Sequence, residues 1–401
     1  MKAKINSSIE REYRLNILKA YWFKFFKNMH FFGAVMIPFY LLWGGVSFTQ
    51  VMVLQAFFTF SVFLLEVPTG VVADRFGRKT SLIFAGILGV IAPLAYIAYP
   101  SFWVFMGAEF IWAIGSALMS GADSALIYDS LKAIGKEKES KKVMSRYGSF
   151  GLAGILVAAP IGGLIAQLWG LRAPMLLTAV PLVIALGIAL TFREPKEHKK
   201  DKAVSYIETL KGGFDYLKGH RVLRILMLDY IVVGALSFFL VWVYQLVLQL
   251  YGVPLGWFGF VHAGILIGEI LVLTNVSRIE KIFRGKKNYL TYSAFLVGAL
   301  FLVLAFVNNL YVAIASIFLI GAFGVTRIEL YRSYLNKFIE SHNRATVLSF
   351  IAMGYSLGLA VIDIVLGRVV DWNLSIGLAI VGGAIILFTL FSRLEEEHLI
   401  D

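Results

Sequence analysis

The sequence predicts an all-α membrane protein with twelve transmembrane helices in two six-helix halves. Three observations predict this class: 59% of the 401 residues are apolar and only 15% are charged, long apolar runs recur along the chain, and almost all basic residues lie between alternate runs. Each run holds about 18–26 residues, which as a helix crosses a hydrocarbon core of about 30 Å. Because lipid offers no hydrogen bonds to the backbone, each span must be helical.

The apolar runs define twelve predicted spans, numbered 1 to 12 in chain order. They cover residues 21–45, 50–72, 80–99, 102–127, 147–168, 173–192, 223–250, 255–276, 288–307, 310–330, 346–369 and 373–392.

The basic residues predict the orientation of these spans. If the N-terminus is cytoplasmic and the spans alternate in direction, all 37 lysines and arginines except Arg172 and Arg368 fall on the cytoplasmic side. Since basic residues in short loops set orientation, we expect both termini in the cytoplasm and a place in the inner or plasma membrane. The net charge of +12 then reflects topology and contact with anionic membrane lipids, and no nucleic-acid partner is expected.

The longest polar stretch divides the chain in the middle. Residues 193–222 are predicted to be a cytoplasmic linker between an N-terminal six-helix bundle, 1–192, and a C-terminal six-helix bundle, 223–401. Within the linker, apolar residues recur at helical spacing from Val204 to Leu217. That pattern predicts a short amphipathic helix on the inner membrane face.

The two bundles resemble an old duplication. Glu66 and Arg75 match Glu269 and Arg278 at the same offset along the chain. Repeats separated by an even number of spans keep the same orientation, so a pseudo-two-fold axis along the membrane normal is predicted. Transporters built in this way bind their substrate between the halves, near the membrane midplane.

The segment GVVADRFGRK follows span 2 and is predicted to be a cytoplasmic gate. Gly77 permits a positive φ in a turn too tight for a Cβ, and Asp74 is placed to face the positive N-terminal end of a neighbouring helix. Arg78 is expected to pair with Asp129 at the cytoplasmic end of span 4. The alternative is that these charges only anchor a loop and set topology. The gate residues are Gly70, Asp74, Arg75, Gly77, Arg78, Lys79 and Asp129.

With twelve spans, a basic central loop and this motif, the whole chain resembles the major facilitator superfamily, most closely its drug:proton antiporter branch. Span 5 carries Gly154, Pro160 and Gly163, similar to the antiporter motif but one residue shorter. The resemblance implies alternating access, a monomer, and a cavity lined by spans 1, 4, 7 and 10. The arginine that many proton-coupled drug antiporters carry in span 4 is absent from residues 102–127.

Ionisable residues within the spans are candidates for proton or substrate binding, because a charge at membrane depth is costly and normally faces a cavity or a partner. Glu109 is the first candidate for the proton, since its span has no basic residue. Glu66 could instead hold the end of span 2 against the loop after span 4. The candidates are Glu66, Glu109, Asp123, Asp229, His262, Glu269, Arg327 and Asp363.

Two interpretations of these charges stay open. The spacing of Glu109 and Asp123 along a helix places them on one face of span 4. Asp123 and Asp129 could pair with Arg327 or Arg332 to close the cytoplasmic exit, or each could pair within its own half.

The substrate is predicted from aromatic residues in two presumed cavity spans. Aromatic rings beside unpaired carboxylates suit lipophilic cations, which favours efflux of such small molecules in exchange for protons. The proton gradient would supply the energy, with no cofactor and no metal.

A proton-coupled importer of a small metabolite is the alternative, and a receptor or scaffold is a remote one. No zinc-protease motif and no phosphate-binding loop occurs, so no enzyme is predicted. The aromatic candidates are Tyr40, Trp43, Phe239 and Trp242.

Overall fold

The computed structural model describes residues 2–195, 206–340 and 343–399, and these residues form helices joined by short turns. Ten helical stretches among them are long and apolar enough to cross a membrane. Two further apolar stretches, Gly33–Trp43 and Leu374–Leu390, are shorter; they coincide with predicted spans 1 and 12. The protein is therefore an all-helical, multi-pass membrane protein.

The helices of the first half of the chain are α1 (Lys2–Lys27), α2 (Met36–Pro38), α3 (Phe48–Phe76), α4 (Arg78–Tyr96), α5 (Phe102–Met119), α6 (Ala122–Ala133), α7 (Ser140–Trp169) and α8 (Arg172–Leu190). The later helices are α9 (Tyr206–Gly219), α10 (Arg221–Phe238), α11 (Leu240–Leu250), α12 (Leu255–Ile282), α13 (Lys286–Phe306), α14 (Leu310–Ile320), α15 (Arg327–Lys337), α16 (Arg344–Trp372) and α17 (Leu374–Leu390).

Predicted span 1 is not a single helix, so that prediction was wrong. α1 ends at Lys27 and α2 begins only at Met36, after which the chain continues as a π-helical turn, Phe39–Trp43. The amide of Phe31, inside the break, donates to Thr178 Oγ1 at 3.0 Å. A tertiary hydrogen bond thus satisfies part of the backbone that the break frees, which an interrupted helix in a membrane requires.

Three other predicted spans are interrupted as well. In span 4, α5 and α6 are separated at Gly121, which has a φ of 75°. In span 7, α10 and α11 meet at Phe239, and in span 10 a π-helical turn, Gly321–Val325, precedes α15. The other eight predicted spans correspond to continuous helices. The interruptions fall on every third span, the set that the resemblance assigns to the cavity, and broken helices commonly form transporter binding sites.

The chain divides into two compact units. Unit 1 comprises Met1–Val46, Leu54–Asp201 and Pro254–Ala263, and unit 2 comprises Ser47–Val53, Lys202–Val253 and Gly264–Asp401. Each unit therefore includes the first turns of a helix, α3 or α12, whose remainder belongs to the other unit.

Unit 1 uses glycines of α7 for close packing. Gly154 and Gly162 lie directly against the carbonyl groups of Phe25 and Phe31, so a Cβ at either position would collide with the backbone around the span 1 break. Gly163, the third residue of the predicted span 5 motif, similarly packs on the start of α12, where a Cβ would lie 2.9 Å from the Leu255 carbonyl oxygen. The small residues of this motif therefore have a packing role.

Unit 2 contains the amphipathic helix predicted in the linker, which is α9. Its Leu217 is buried in the core of the unit, and its Phe214 ring lies against Phe350 of α16 at a centroid distance of 6.4 Å. Val204 lies outside the described residues.

The first turn of α3 in unit 2 is capped from far along the chain. The Asp371 carboxylate, near the end of α16, accepts the amides of Phe48 and Thr49 at 2.8 and 2.9 Å.

Candidate functional site

The turn of the predicted gate motif is built around Gly77. This residue connects α3 to α4 with a φ of 94°, which confirms the predicted positive φ. Because glycine has no side chain to cap α4, a distant group caps it: Glu194 Oε1 accepts the amide of Arg78 at 2.8 Å, and Oε2 accepts that of Lys79 at 2.7 Å. A carboxylate at a helix N-terminus is favourable for both hydrogen bonding and the helix dipole.

The side chain of Arg78 makes the predicted ion pair. Its Nε lies 3.0 Å from Asp129 Oδ2, and both side chains are 31% exposed. An ion pair this exposed contributes at most about 1 kcal/mol, so its main effect is to orient Arg78. The gating role of the motif, including that of Asp74 and the exposed Arg75, stays a prediction.

Asn16, a fully buried residue of α1, links the two groups that hold Arg78. Its Nδ2 donates to Ser130 Oγ at 3.0 Å and to the Arg193 carbonyl at 2.8 Å, and its Oδ1 accepts the Arg193 amide at 3.0 Å. Ser130 is the neighbour of Asp129, and Arg193 is the neighbour of Glu194. One amide side chain therefore fixes the positions of both acids.

Unit 2 contains the same arrangement as this turn. Gly285, with a φ of 143°, precedes α13, and Glu396 accepts the amides of Lys286 and Lys287 at 2.7 and 2.8 Å. Glu194 was not predicted as a site residue. The internal repeat was a signal that could have found it, because Glu194 and Glu396 occupy matching positions after the last helix of each half.

Glu109 lies in α5 and is buried, with 4% of its surface exposed. Its Oε1 accepts hydrogen bonds from Tyr40 Oη and Gln55 Nε2, both at 2.9 Å. Among the described residues no lysine, arginine or histidine pairs with it. The Tyr40 ring also packs edge-on against Phe105 at 5.3 Å. The structure thus brings a predicted carboxyl and a predicted aromatic residue together, and adds Gln55, a neutral donor that a search for charges misses.

Trp43, the other aromatic candidate of span 1, lies at the edge of this cluster. It stacks on Phe39 at 4.8 Å, and the Arg172 guanidinium lies 5.4 Å from its ring centroid.

The break in span 1 exposes polar groups to the interior of unit 1. Lys27, at the end of α1, lines a cavity of about 30 Å³ together with Trp112 and Ser116 of α5. The His30 ring contacts Trp112 at 5.2 Å, and its buried Nε2 has no hydrogen-bond partner among the described residues. The sequence assigned Lys27 to the cytoplasmic end of the span; the polar residues that follow it were the available sign of a break.

Asp123 is the second residue of α6 and is separated from Glu109 by the bend at Gly121. The expectation that these two acids share one face of a straight helix was therefore wrong. Asp123 Oδ2 accepts a hydrogen bond from Tyr147 Oη at 2.6 Å and lies 3.8 Å from Lys24 Nζ. Its partners are within unit 1, as the second interpretation of these charges expected.

Arg327 and Asp229 form a buried ion pair within unit 2. Arg327 Nη2 lies 2.9 Å from Asp229 Oδ1, while Nη1 donates to the Leu290 carbonyl at 2.6 Å and to Ser293 Oγ at 2.9 Å. Arg332 pairs with Glu329 at 2.8 Å. These arginines also take partners within their own unit, and the charge of Arg327 is neutralised by protein.

Asp363 and Trp242 of unit 2 lie close enough for their side chains to interact with each other. Asp363 Oδ1 and Trp242 Nε1 are buried without any other hydrogen-bond partner among the described residues. Phe239 is fully buried at the junction of α10 and α11 and contacts the Phe48 ring edge-on at 6.1 Å.

The remaining candidates are less enclosed. The side chain of Glu66 is exposed and makes no hydrogen bond or ion pair with the described residues, so the proposed contact with the loop after span 4 is not seen there. Glu269 and His262 are partly buried and both lie on α12.

One short sequence in α16 matches the spacing of a hydrolase motif. Residues 354–358 read GYSLG, the Gly-x-Ser-x-Gly spacing of a nucleophile elbow. That motif requires a sharp strand-to-helix turn, whereas these residues lie inside a continuous helix. The serine therefore lacks the geometry of a nucleophile.

Comparison with known proteins provides a family match. A model of the Major Facilitator Superfamily matches residues 25–362, which is most of the chain.

Curated relatives match over shorter regions. A gentisate transporter of Corynebacterium glutamicum is 30% identical over 168 residues, covering 39% of this chain and 34% of that protein. The multi-drug resistance efflux pump PmrA of Streptococcus pneumoniae is 28% identical over 126 residues, covering 31% of this chain and 30% of the pump. The chain thus spans about a third of the length of these relatives.

Solved structures share the fold over nearly the full length. The nucleoside transporter NupG superposes with a TM-score of 0.76 at 14% identity, covering 94% of this chain and 96% of that chain. A bacterial homologue of the human lysosomal transporter Spinster gives 0.70 at 16% identity, covering 95% of each. A D-xylose–proton symporter gives 0.68 at 15% identity, covering 95% and 97%.

Proposed function

Because the chain belongs to the Major Facilitator Superfamily and has the fold of its transporters, we propose that it moves a small molecule across the membrane by alternating access and couples this movement to protons. The family and the fold indicate a transporter rather than an enzyme. The coupling to protons rests on the surroundings of one residue, Glu109.

The surroundings of Glu109 support a role as a proton carrier. It is buried in a candidate membrane span and accepts hydrogen bonds from the neutral groups of Tyr40 and Gln55, with no cation paired to it among the described residues. A carboxylate at membrane depth is costly unless a cation pairs with it, and such residues commonly mark proton pathways. A protonated Glu109 carries no charge, and a charged one could be balanced by a cationic substrate. One residue could therefore bind the two alternately.

For the substrate we propose lipophilic, often cationic small molecules, exported in exchange for protons. The aromatic cluster of Tyr40, Trp43 and Phe105 beside Glu109 supports this class, because aromatic faces attract cations and bind apolar surface. The local likeness to an efflux pump is in keeping with it.

Import of a small metabolite with protons is the second candidate. The local likeness to a gentisate transporter favours it. The two candidates differ in the direction of movement relative to the proton gradient, so a transport assay separates them.

The proposal includes the topology expected from the sequence. Twelve spans in two halves, with both termini cytoplasmic, would use the shorter stretch around α2 and the helix α17 as the first and last spans. Gly77, Arg78 and Asp129 would belong to the cytoplasmic gate. The energy source would be the proton gradient, without cofactor or metal, and the functional form would be a monomer in membrane lipid.

The test is transport in vesicles that contain the purified protein, with an imposed pH gradient and a panel of dyes, drugs and aromatic acids. We expect wild-type protein to move at least one compound in response to the gradient. Glu109→Gln keeps the hydrogen-bonding shape but cannot ionise, so it should lose the response at least tenfold. Glu66→Gln, at an exposed acid on α3, is the matched control and should keep most of it. An unchanged response in Glu109→Gln would remove Glu109 from the coupling mechanism.

A further inference from the structure

A small cavity inside unit 1 has a lysine in its wall. Its volume is about 30 Å³, and its lining includes Lys27 from α1, Gly86 and Gly89 from α4, and Trp112 and Ser116 from α5. A Cβ at Gly89 would meet no atom within 4 Å. Gly89 therefore leaves open space in the wall of this cavity.

The cavity lies at the depth of the membrane spans. Gly86 and Gly89 are near the middle of α4, Trp112 is in the middle of α5, and Leu182, another lining residue, is near the middle of α8. All three helices belong to candidate membrane spans. Lys27 reaches this level because α1 ends there and the chain then breaks.

The Lys27 side chain makes no direct hydrogen bond or ion pair among the described residues; the Asp123 carboxylate acts on it only at longer range. Lys24, one turn earlier, lies 3.8 Å from the Asp123 carboxylate and over the Tyr147 ring at 4.8 Å. The two lysines are thus distinguished by their surroundings. An unpaired cation at membrane depth is costly, and an anion in the adjacent cavity would lower that cost.

A second polar side chain near the cavity, that of His30, has one atom without a partner. His30 Nε2 is buried without a hydrogen bond among the described residues. Its ring stacks on Phe32 at 5.5 Å and meets the edge of Trp112 at 5.2 Å. Trp112 therefore lies between the lysine-lined cavity and a free imidazole nitrogen, in a region otherwise built of aromatic rings.

We propose that this cavity binds a small monovalent anion through the Lys27 ammonium, with Ser116 Oγ as a hydrogen-bond donor and the Trp112 ring as one wall. A cavity of this kind needs about 10–15 Å³ for each water, so 30 Å³ accommodates one chloride ion or one carboxylate group. The anion is either a free halide or the carboxylate of an organic acid. In the second case the site belongs to the substrate pathway and its ligands are carboxylic acids.

Anion binding at Lys27 does not depend on proton coupling or on Glu109, because binding is measured without transport. A failure of the pH-gradient assay would leave this site standing, and a failure to bind anions would leave the coupling proposal standing.

The experiment is bromide quenching of tryptophan fluorescence in the purified protein, at constant ionic strength with divalent sulfate as the replacing anion. Bromide quenches an indole that it contacts, and Trp112→Phe identifies the part of the signal from the cavity. We expect a saturable component in the wild type that is absent from Trp112→Phe. Lys27→Gln should weaken it at least tenfold, while Lys27→Arg and Lys24→Gln should keep it.

Competition then distinguishes the two sources of the anion. Relief of quenching by chloride but not by benzoate supports a halide site, and relief by both supports a carboxylate site. In the carboxylate case Lys27→Gln should raise the KM for transported aromatic acids at least tenfold.

Two results would overturn the proposal: quenching that rises linearly with bromide in the wild type, or the same saturable component in Lys27→Gln. If Lys27→Gln does not fold, the comparison of wild type with Trp112→Phe still decides whether the cavity binds bromide.

Discussion

Replacement of Glu194 by alanine should loosen the start of α4 and with it the gate motif. In the wild type both carboxylate oxygens of Glu194 accept backbone amides of the first turn, at 2.8 Å from Arg78 and 2.7 Å from Lys79. The preceding residue, Gly77, has no side chain that could replace them. The variant therefore leaves two amides at a helix N-terminus without their acceptor.

The magnitude follows from the two effects that are lost. A side-chain cap at a helix N-terminus is worth about 0.5–2 kcal/mol, and a negative charge there adds about 0.3–1 kcal/mol through the helix dipole. Together they predict a loss of about 1–3 kcal/mol in the local stability of the first turn. Since 1.4 kcal/mol is about a factor of ten, opening should become roughly five- to a hundredfold more frequent.

Hydrogen exchange of the Arg78 and Lys79 amides measures this opening directly. Glu194→Ala should exchange faster at these two amides, while Glu396→Ala should produce the same change at the start of α13, where the geometry is repeated. Glu137→Ala, at an exposed acid of the loop before α7, is the control and should leave both sites unchanged. Unaltered exchange of both amides in Glu194→Ala would refute the capping role.

Two further changes test other parts of the structure. Gly77→Ala should lower the free energy of unfolding by about 1–3 kcal/mol, because alanine disfavours the positive φ of this position and the new Cβ would lie 2.9 Å from the Glu194 carboxyl carbon. Gly70→Ala, at a helical position with open space around it, is the control and should not lower the free energy of unfolding. Equal losses for the two variants in denaturant unfolding would contradict this explanation. Arg327→Ala should lower the free energy of unfolding by about 3–5 kcal/mol, because it leaves the Asp229 charge buried and unpaired. The double variant Arg327→Met with Asp229→Leu should recover most of this loss. No recovery in the double variant would argue that the arginine acts outside the pair.

The sequence predicts features that depend on neighbours along the chain. Long apolar runs give the helices because a span must satisfy its own backbone. Gly77 could be assigned a positive φ because the turn between two helices is so short. The Arg78–Asp129 pair was predictable because the expected topology places both residues near the cytoplasmic ends of their predicted spans.

Features that depend on distant side chains were not predictable in this way. Glu194 caps a turn more than a hundred residues away, and Asp229 neutralises Arg327 across a similar separation. Neither partner is specified by local spacing. The buried charge of Arg327 could have paired in either half, and only the three-dimensional contacts decide between the alternatives.

The break in span 1 shows how tertiary contacts override an apolar pattern. Residues 21–45 are apolar enough to suggest one helix. However, the Phe31 amide donates a hydrogen bond to Thr178. In addition, Gly162 of α7 packs against the backbone of Phe31. These contacts stabilise an interruption that the sequence alone does not require. As a result Lys27, counted with the cytoplasmic charges, lies at the cavity instead.

The proton flux that accompanies substrate movement tests the central claim most directly. Vesicles containing the protein and a trapped pH indicator should show a pH change when a transported compound is added, without any imposed gradient. The account predicts that Glu109→Gln abolishes this proton movement, while Glu66→Gln retains it. Proton movement of the wild-type size in Glu109→Gln, or substrate transport by the wild type with no proton movement, would contradict it.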